Sequence, residues 1–413
     1  VTGRLAAAVA IVSAALATAP PVARAAADEL ADALGARGFE NVAVRTAGRA
    51  VTVWYENRIL RYELTAMGTA AAIAAARVDA DAILELVPQN RGVPLLSVSA
   101  AARDWSAFLD RRASSRWFRG RVVVTAADGA PRIARPAGLR RAHRSTWRTD
   151  LRVRPLVDFD LGVVDDPFRS SLRVAPEAVT SPFRGALLTA QLDVAIDEGL
   201  YGLAAPVAPG RNTLSWGGWL PRGWLVAASG GIFAGDRWGV AGEIGRLSRG
   251  GAFEIRAGGD WSGLLEFTKD VTLYTGLDAW SAFVAVTHRT EGLDLETTVT
   301  AARFLEGDPG LRVDVDRRWG EVEVGFFVVG THVDEILGVN LRLPLPTRAW
   351  SRPARLRVTT VPAFPFRYRD SLNEVGQQVS LFDDLDRLRK RLYPTFVRNN
   401  LDDLLPRGVR RPE

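Results

Sequence analysis

The chain has 413 residues, 47% of them apolar, a formal net charge of +6 and no cysteine. That length and composition specify a folded protein of two or three domains. The missing cysteine excludes disulfides, thiolate metal sites, cysteine nucleophiles and lipid attachment through an N-terminal cysteine. Nearly all the positive charge is arginine, which suits an anionic partner and equally an arginine-rich genome.

Residues 1–25 carry one early arginine, an apolar run from Leu5 to Ala17, a proline pair, and small residues at Ala23-Arg24-Ala25 or Ala25-Ala26-Ala27 ahead of Asp28. The pattern predicts a secretory signal peptide, because the apolar run is shorter than the roughly 20 residues of a spanning helix. No other stretch is long and apolar enough to cross a membrane as a helix. The remaining chain is therefore expected either in solution outside the cytoplasm or in a membrane as a β-barrel.

Residues 28–125 mix periods. Leu30 and Leu34 mark a short helix, Asn41–Arg45 and Ala50–Asn57 two strands, Ala66–Arg77 a helix, and Ala82–Val87 and Val93–Val98 two more strands. Trp105, Phe108 and Leu109 mark a third helix, and Arg121–Thr125 a last strand. This predicts a small α/β domain. Residues 126–150 hold six arginines, two acids (Asp128 and Asp150), prolines and glycines. They read as a basic linker, either a contact for anionic head groups or an anionic polymer, or a solvated connector.

From residue 151 to 362 strands dominate, several with nine to eleven alternating residues where soluble strands commonly have about five or six. Successive side chains of a strand face opposite sides. Phe253, Ile255, Ala257 and Trp261 oppose Glu254, Arg256 and Asp260; Leu293, Leu295 and Val299 oppose Asp294, Glu296, Thr298 and Thr300. In one hairpin Leu311, Val313 and Val315 oppose Arg312, Asp314, Asp316 and Arg318, then Val322, Val324, Phe326 and Val328 oppose Glu321 and Glu323. A membrane barrel turns the apolar parity to lipid and the polar parity to its lumen; a soluble sandwich does the reverse. The leader, strand lengths and strand number without cysteine favour a mainly β fold built on an outer-membrane antiparallel β-barrel of roughly 12–14 strands. With Trp319-Gly320 as the turn, Arg318 is expected opposite Glu321 and Asp316 opposite Glu323. Residues 371–400 close the chain with an amphipathic helix: Leu381, Leu385, Leu388 and Leu392 form its stripe, with Asp383, Asp384 and Asp386 early and Arg389, Lys390 and Arg391 late, as the helix dipole prefers.

The run Arg303–Pro346, with the strings "VWYENR", "LVPQNRGVPLLSV", "RPLVDFDLG" and "GGIFAGDRWGVAGEI", resembles the YjbH family of exopolysaccharide and capsule biosynthesis proteins. The resemblance spans most of residues 40–350 and includes a Gly307-Asp308-x-Gly310 turn. It implies an outer-membrane barrel associated with export of an extracellular polysaccharide. The partners it implies are outer-membrane lipid, the exopolysaccharide chain and periplasmic export proteins, with the N- and C-terminal segments in the periplasm.

Motifs for chemistry are absent. His143, His288 and His332 fit no metal spacing, and there is no nucleophile elbow or phosphate loop. Gly239, Gly242 and Gly245 suit strands at close approach better than a dinucleotide fingerprint. The sequence from Asp314 places Arg318 where a calcium loop needs a ligand. A carboxylate pair for glycoside hydrolysis needs a defined separation and a raised pKa, which lumen charges quenched by arginine do not supply. No catalytic residue, cofactor, metal or nucleic-acid partner is expected. The polar residues Glu254, Arg256, Asp260, Asp294, Glu296, Arg312, Asp314, Asp316, Arg318, Glu321 and Glu323 are the candidate lining of a lumen. The alternative is a soluble periplasmic β-rich protein that binds or modifies carbohydrate.

Overall fold

The computed structural model describes residues 21–127, 142–161, 168–198, 205–233, 236–370, 376–377 and 382–405. Most of the expected leader, most of the expected linker and Leu381 lie outside them.

The N-terminal unit begins with helix α1 (Pro21–Arg37) and strands β1 (Glu40–Ala47) and β2 (Ala50–Glu56). Helix α2 (Glu63–Ala75) carries the chain to β3 (Ile83–Asn90), parallel to β2. Then follow β4 (Val93–Pro94), β5 (Leu96–Ala101), α3 (Ala102–Leu109), α4 (Ser115–Arg119) and β6 (Val123–Ala126). The sheet order is β1-β2-β3-β5-β6. Alternation along β2 divides its side chains between two covers: Val51, Val53 and Tyr55 meet the helices, whereas Trp54 packs with Ala43, Val87 and Ala127 on the other face. Helix α2 is rich in alanine, so it can lie close to its neighbours, and Leu64, Met67, Ala70, Ala71 and Ala74 form its buried stripe.

The rest of the chain is mainly β. Its strands are β7 (Thr149–Leu161), β8 (Phe168–Thr180), β9 (Ala186–Glu198), β10 (Val207–Pro209), β11 (Asn212–Leu220), β12 (Trp224–Phe233), β13 (Arg237–Leu247) and β14 (Phe253–Phe267). After them come β15 (Thr272–Tyr274), β16 (Ala279–Thr290), β17 (Leu295–Arg303), β18 (Pro309–Trp319), β19 (Val322–Thr331), β20 (Glu335–Pro344), β21 (Leu356–Val358) and β22 (Ala363–Arg369). They form a single 16-stranded sheet in the order β21-β7-β8-β9-β11-β12-β13-β14-β16-β17-β18-β19-β20-β22, with β10 on β9 and β15 on β14. Neighbours are antiparallel except β21, which runs parallel to β7. Among the described residues the sheet does not close into a barrel, yet it curls until its last strand, β22, packs beside β7. It thereby has an inner and an outer face.

The N-terminal unit sits at one end of this sheet, here the near end. Tight turns there, at 181–185, 248–252, 291–294 and 320–321, alternate with connections at the far end, such as 304–308 and 332–334. The seam is charged and specific. Arg61 donates to both carboxylate oxygens of Glu321, each at 2.6 Å. Arg58 reaches Glu40 at 3.0 Å and Asp150 at 2.8 Å, and Asp150 also accepts from Arg357 at 2.6 Å. Burial raises the pKa of the Glu40 carboxyl above its ordinary value, with Arg58 and Arg148 pulling against it. The Trp219 indole donates to the Pro94 carbonyl at 2.8 Å.

Two sequence expectations change here. The hairpin turn is Gly320-Glu321, with Trp319 opposite Val322, so Arg318 faces Glu323 and Asp316 faces Gly325. Gly320 has φ +61°, the glycine-first pattern of a type II′ turn; the turn thus moves by one residue, and each pairing partner across the hairpin by two. The C-terminal helix is also shorter than its leucine stripe: α5 (Phe382–Arg389) stops at Lys390 and Arg391, both at positive φ, and α6 (Pro394–Asn399) follows in a new direction.

Candidate functional site

The two faces of the large sheet invert the polarity of a soluble protein. Outward parity exposes Ile255, Val284, Val286, Val299, Val313, Val315 and Val328, and leaves Phe326 62% accessible. Inward parity buries Glu243, Glu254, Arg256, Asp260, Ser281, Thr287, Arg289, Thr298, Thr300 and Glu323; Glu254 is only 2% accessible. The apolar outer face is bordered by exposed aromatics. Phe253, Trp319 and Trp216 lie toward the near end; Trp261, Trp280 and Tyr274 lie toward the far end. From Phe253 to Trp261 is about 27 Å along the strand at the usual rise per residue. The inner face is not uniformly polar: Phe233, Ala241, Phe283 and Ala285 form one apolar patch with Leu305, and Phe304, Phe327, Val329 and Ile336 another toward the far end.

The C-terminal segment lies against part of the polar face. At the far end the Gly376 N–H donates to the Asp308 carboxylate at 3.0 Å, and the Leu305 N–H donates to the Gln377 carbonyl at 2.9 Å. Helix α5 then lies on the inner face. Leu385 and Leu388 are fully buried with Leu225, Ala227 and Val93. Glycine makes that approach possible: a Cβ on Gly217 would stand 2.7 Å from the Leu388 side chain, and one on Gly245 would stand 3.0 Å from Leu385. At the near end Arg398 donates to the Gly250 carbonyl and to Glu291, and Asn399 and Asn400 donate to Asp294, both at 2.7 Å. Residues Leu392, Tyr393, Phe396, Val397, Leu401 and Leu404 finish inside the core of the N-terminal unit.

Between those anchors, charges of the segment match charges of the sheet. Glu254 lies between two arginines, accepting from Arg389 of the segment and from Arg289 of β16 at 2.8 Å. Arg289 also donates to Glu296 at 2.5 Å, and its guanidinium stacks 3.6 Å over the Tyr393 ring. Arg256 bridges Glu243 at 3.4 Å and Asp386 at 3.6 Å, and Asp386 accepts the Tyr393 hydroxyl at 2.6 Å. Arg391 pairs with Glu323 at 2.9 Å, while Arg318 donates to the Arg391 carbonyl at 2.8 Å and stacks over Phe396. Where the segment meets α2, the Tyr62 hydroxyl donates to Asp403 at 2.8 Å; burial and the Asp403 charge hold its pKa well above the ordinary phenol value.

Of the residues singled out from the sequence, Glu254, Arg256, Glu296, Arg318 and Glu323 join this cluster. Asp260 is buried farther along the face, hydrogen-bonded to Ser281 and Ser262. Arg312 and Asp314 pair with each other at 2.6 Å, and Asp316 is on the same inner parity. Asp294 and Glu321 are corrections: both lie in near-end turns, occupied by Asn399 and Asn400 and by Arg61, because alternation in sequence does not mark where a strand stops. Gly307, at φ +85°, and Asp308 form a far-end turn in which Asp308 receives the C-terminal segment, and Gly310 begins the inner parity of β18. Sequence reasoning missed Glu243 and Arg289. Both follow the inward parity of their strands, but the glycines of β13 and the threonines of β16 blur the contrast.

Among the described residues no group of histidine or carboxylate side chains is arranged to hold a metal ion. The arrangement does not isolate a carboxylate pair; each acid in the cluster faces an arginine. Its chemistry is that of recognition between a sheet face and a peptide segment.

Residues 6–202 match the model of the YjbH family, described as exopolysaccharide biosynthesis protein YbjH. The match covers the N-terminal unit and β7 to β9, and ends before the hairpin Pro309–Thr331. No curated protein and no solved structure matches the chain.

Proposed function

We propose that this protein is an outer-membrane β-barrel component of exopolysaccharide biosynthesis and export, acting without making or breaking bonds, with its interior occupied by its own C-terminal segment. The observation that carries this reading is the inversion of polarity. A soluble sandwich buries the apolar parity of each strand, whereas here the ion-paired parity is inside and valine, isoleucine and phenylalanine face out. The aromatic borders support it further. Tilting the strands by about 40° shortens the separation along the barrel axis to roughly 20 Å, of the same order as the apolar band of about 25 Å in outer-membrane barrels. The N-terminal unit and the end of the C-terminal segment then belong on the periplasmic side, since both sit at the near end.

Fractionation and secretion test the two halves of the proposal. The protein is expected with outer membranes, released by detergent, and deletion of its gene is expected to lower extracellular polysaccharide while cytoplasmic precursors still form. Recovery in the soluble periplasm overturns the membrane assignment. Unchanged secretion, under conditions where the gene is expressed, overturns the export role.

A further inference from the structure

We infer that the surface formed by α4 and its flanking turns is a docking site for an acidic polysaccharide. The inference rests on the exopolysaccharide reading for the class of polymer, and on the structure for the surface. Residues 111–121 of the N-terminal unit contain five arginines, Arg111, Arg112, Arg116, Arg119 and Arg121, and no acid. All five are exposed.

Compositional bias does not account for the stretch. Residues 21–127 hold 14 arginines and 11 carboxylates. Outside 111–121 the same unit has nine arginines to 11 carboxylates, so its positive charge is concentrated on this surface. Arg112 pairs with Asp110 at 3.0 Å, and Arg121 lies 4.0 Å over the Trp117 ring. Arg111, Arg116 and Arg119 have no carboxylate partner among the described residues. From the C-terminal segment Asp402 reaches this surface, where it accepts from Ser115 at 3.1 Å.

The surface is also held rigidly. Ser114 caps α4 by accepting from the Trp117 N–H at 3.2 Å, and Phe118 stacks on Phe108 with ring centroids 4.5 Å apart and packs on Trp105. Phe118 is thus turned into the core and Trp117 lies partly buried beneath Arg121, so no large apolar side chain is fully exposed within 111–121, the nearest being Val123. A membrane-inserting surface carries several such side chains; here the exposed groups are mainly guanidinium forks, which match carboxylates bidentately. Uronic acid residues along a polysaccharide present carboxylates in repeat, so several weak pairs add along one chain.

The test uses the full chain in detergent micelles with a galacturonic acid oligomer as probe, and dextran as the neutral control. Binding of the oligomer, weakened as salt rises, and about tenfold weaker in the triple variant Arg111→Gln, Arg116→Gln, Arg119→Gln, is the expected result. A parallel triple substitution by lysine should retain part of the binding, separating charge from any effect on folding. Vesicles containing phosphatidylglycerol, incubated with the chain in zwitterionic nanodiscs, form the second arm. Equal binding by wild type and glutamine variant, no binding by wild type, or variant-sensitive capture of the vesicles alone would each overturn the inference. None of these outcomes alters the fractionation and deletion tests, so the surface and the export role fail separately.

Discussion

Glu254 offers the sharpest perturbation of the filled interior. Glu254→Gln keeps the side-chain shape and removes the charge facing two buried arginines. Arg289 keeps Glu296 at 2.5 Å, but Glu254 is the carboxylate that Arg389 contacts, and the Arg389 side chain is 3% accessible. Leaving a buried charge without its partner costs about 3–5 kcal/mol. Because Arg389 belongs to the C-terminal segment, undocking that segment relieves the cost, so the docking equilibrium should move by about two to three and a half powers of ten. Trypsin provides the readout: Arg387, Arg389, Lys390 and Arg391 are cleavage points protected in the docked state. The glutamine variant should be nicked within 387–391 while the sheet stays folded. Arg389→Met should be milder, since Glu254 then retains Arg289, and Met at 389 with Gln at 254 should cost less than the two single changes together. Equal resistance of wild type and Glu254→Gln, or a methionine variant at least as sensitive as the glutamine variant, refutes the coupling.

Phe326→Arg places a charge on the outer face and should lower stability in bilayers by about 2–4 kcal/mol near the midplane, measured by reversible denaturant unfolding in vesicles. An unchanged midpoint would count against lipid contact. At the near end, a Cβ on Gly68 would stand 1.7 Å from the Leu404 carbonyl oxygen, so Gly68→Val should unseat residues 401–404 from α2 and speed amide exchange there, with the far-end strands unaffected. The folded-state Tyr62 phenol has its pKa raised above the ordinary 10.0, so its contribution is complete below that pH and fades as pH rises past it. Tyr62→Phe should flatten the alkaline limb of the stability profile; an identical profile in the variant would show that another group titrates.

Much of the sheet was legible because one rule, alternate facing, acts at every residue of a strand. The strings Asn212–Leu220 and Arg237–Leu247 were readable as strands to their ends. Strand β22 escaped notice because Pro365 interrupts it, yet Pro365 lies opposite Arg342 near the end of the pairing, where a missing N–H is tolerated. The leucine stripe of the C-terminal segment announced an apolar face without naming its cover. Leu385 and Leu388 do share a face, but Leu392 enters the N-terminal core, because the chain turns at Lys390 and Arg391, themselves neither glycine nor proline, ahead of the Pro394 that opens α6. The partner charges were hidden for a different reason: Glu254 and Arg389 are 135 residues apart, and only the curl of the sheet brings them together.

That pairing changes the meaning of the inner charges. Charges bordering an empty conduit would meet water, and their signs would need no counterpart in the chain. Here Arg389 lies on Glu254, Arg391 on Glu323 and Asp386 on Arg256, so the face is complementary to a peptide. The segment is held at Asp308 on the far side and through Leu401 and Leu404 in the N-terminal core, and its full withdrawal would expose apolar residues that this core already buries. A glycan passing along the same path would have to displace all of these contacts at once. On the proposed outer-membrane reading, the occupied interior therefore fits a component that holds its N-terminal unit against the membrane more than a free-standing pore. On the same proposal, contact with a polysaccharide is expected on the outside of that unit, where the arginines of 111–121 are exposed.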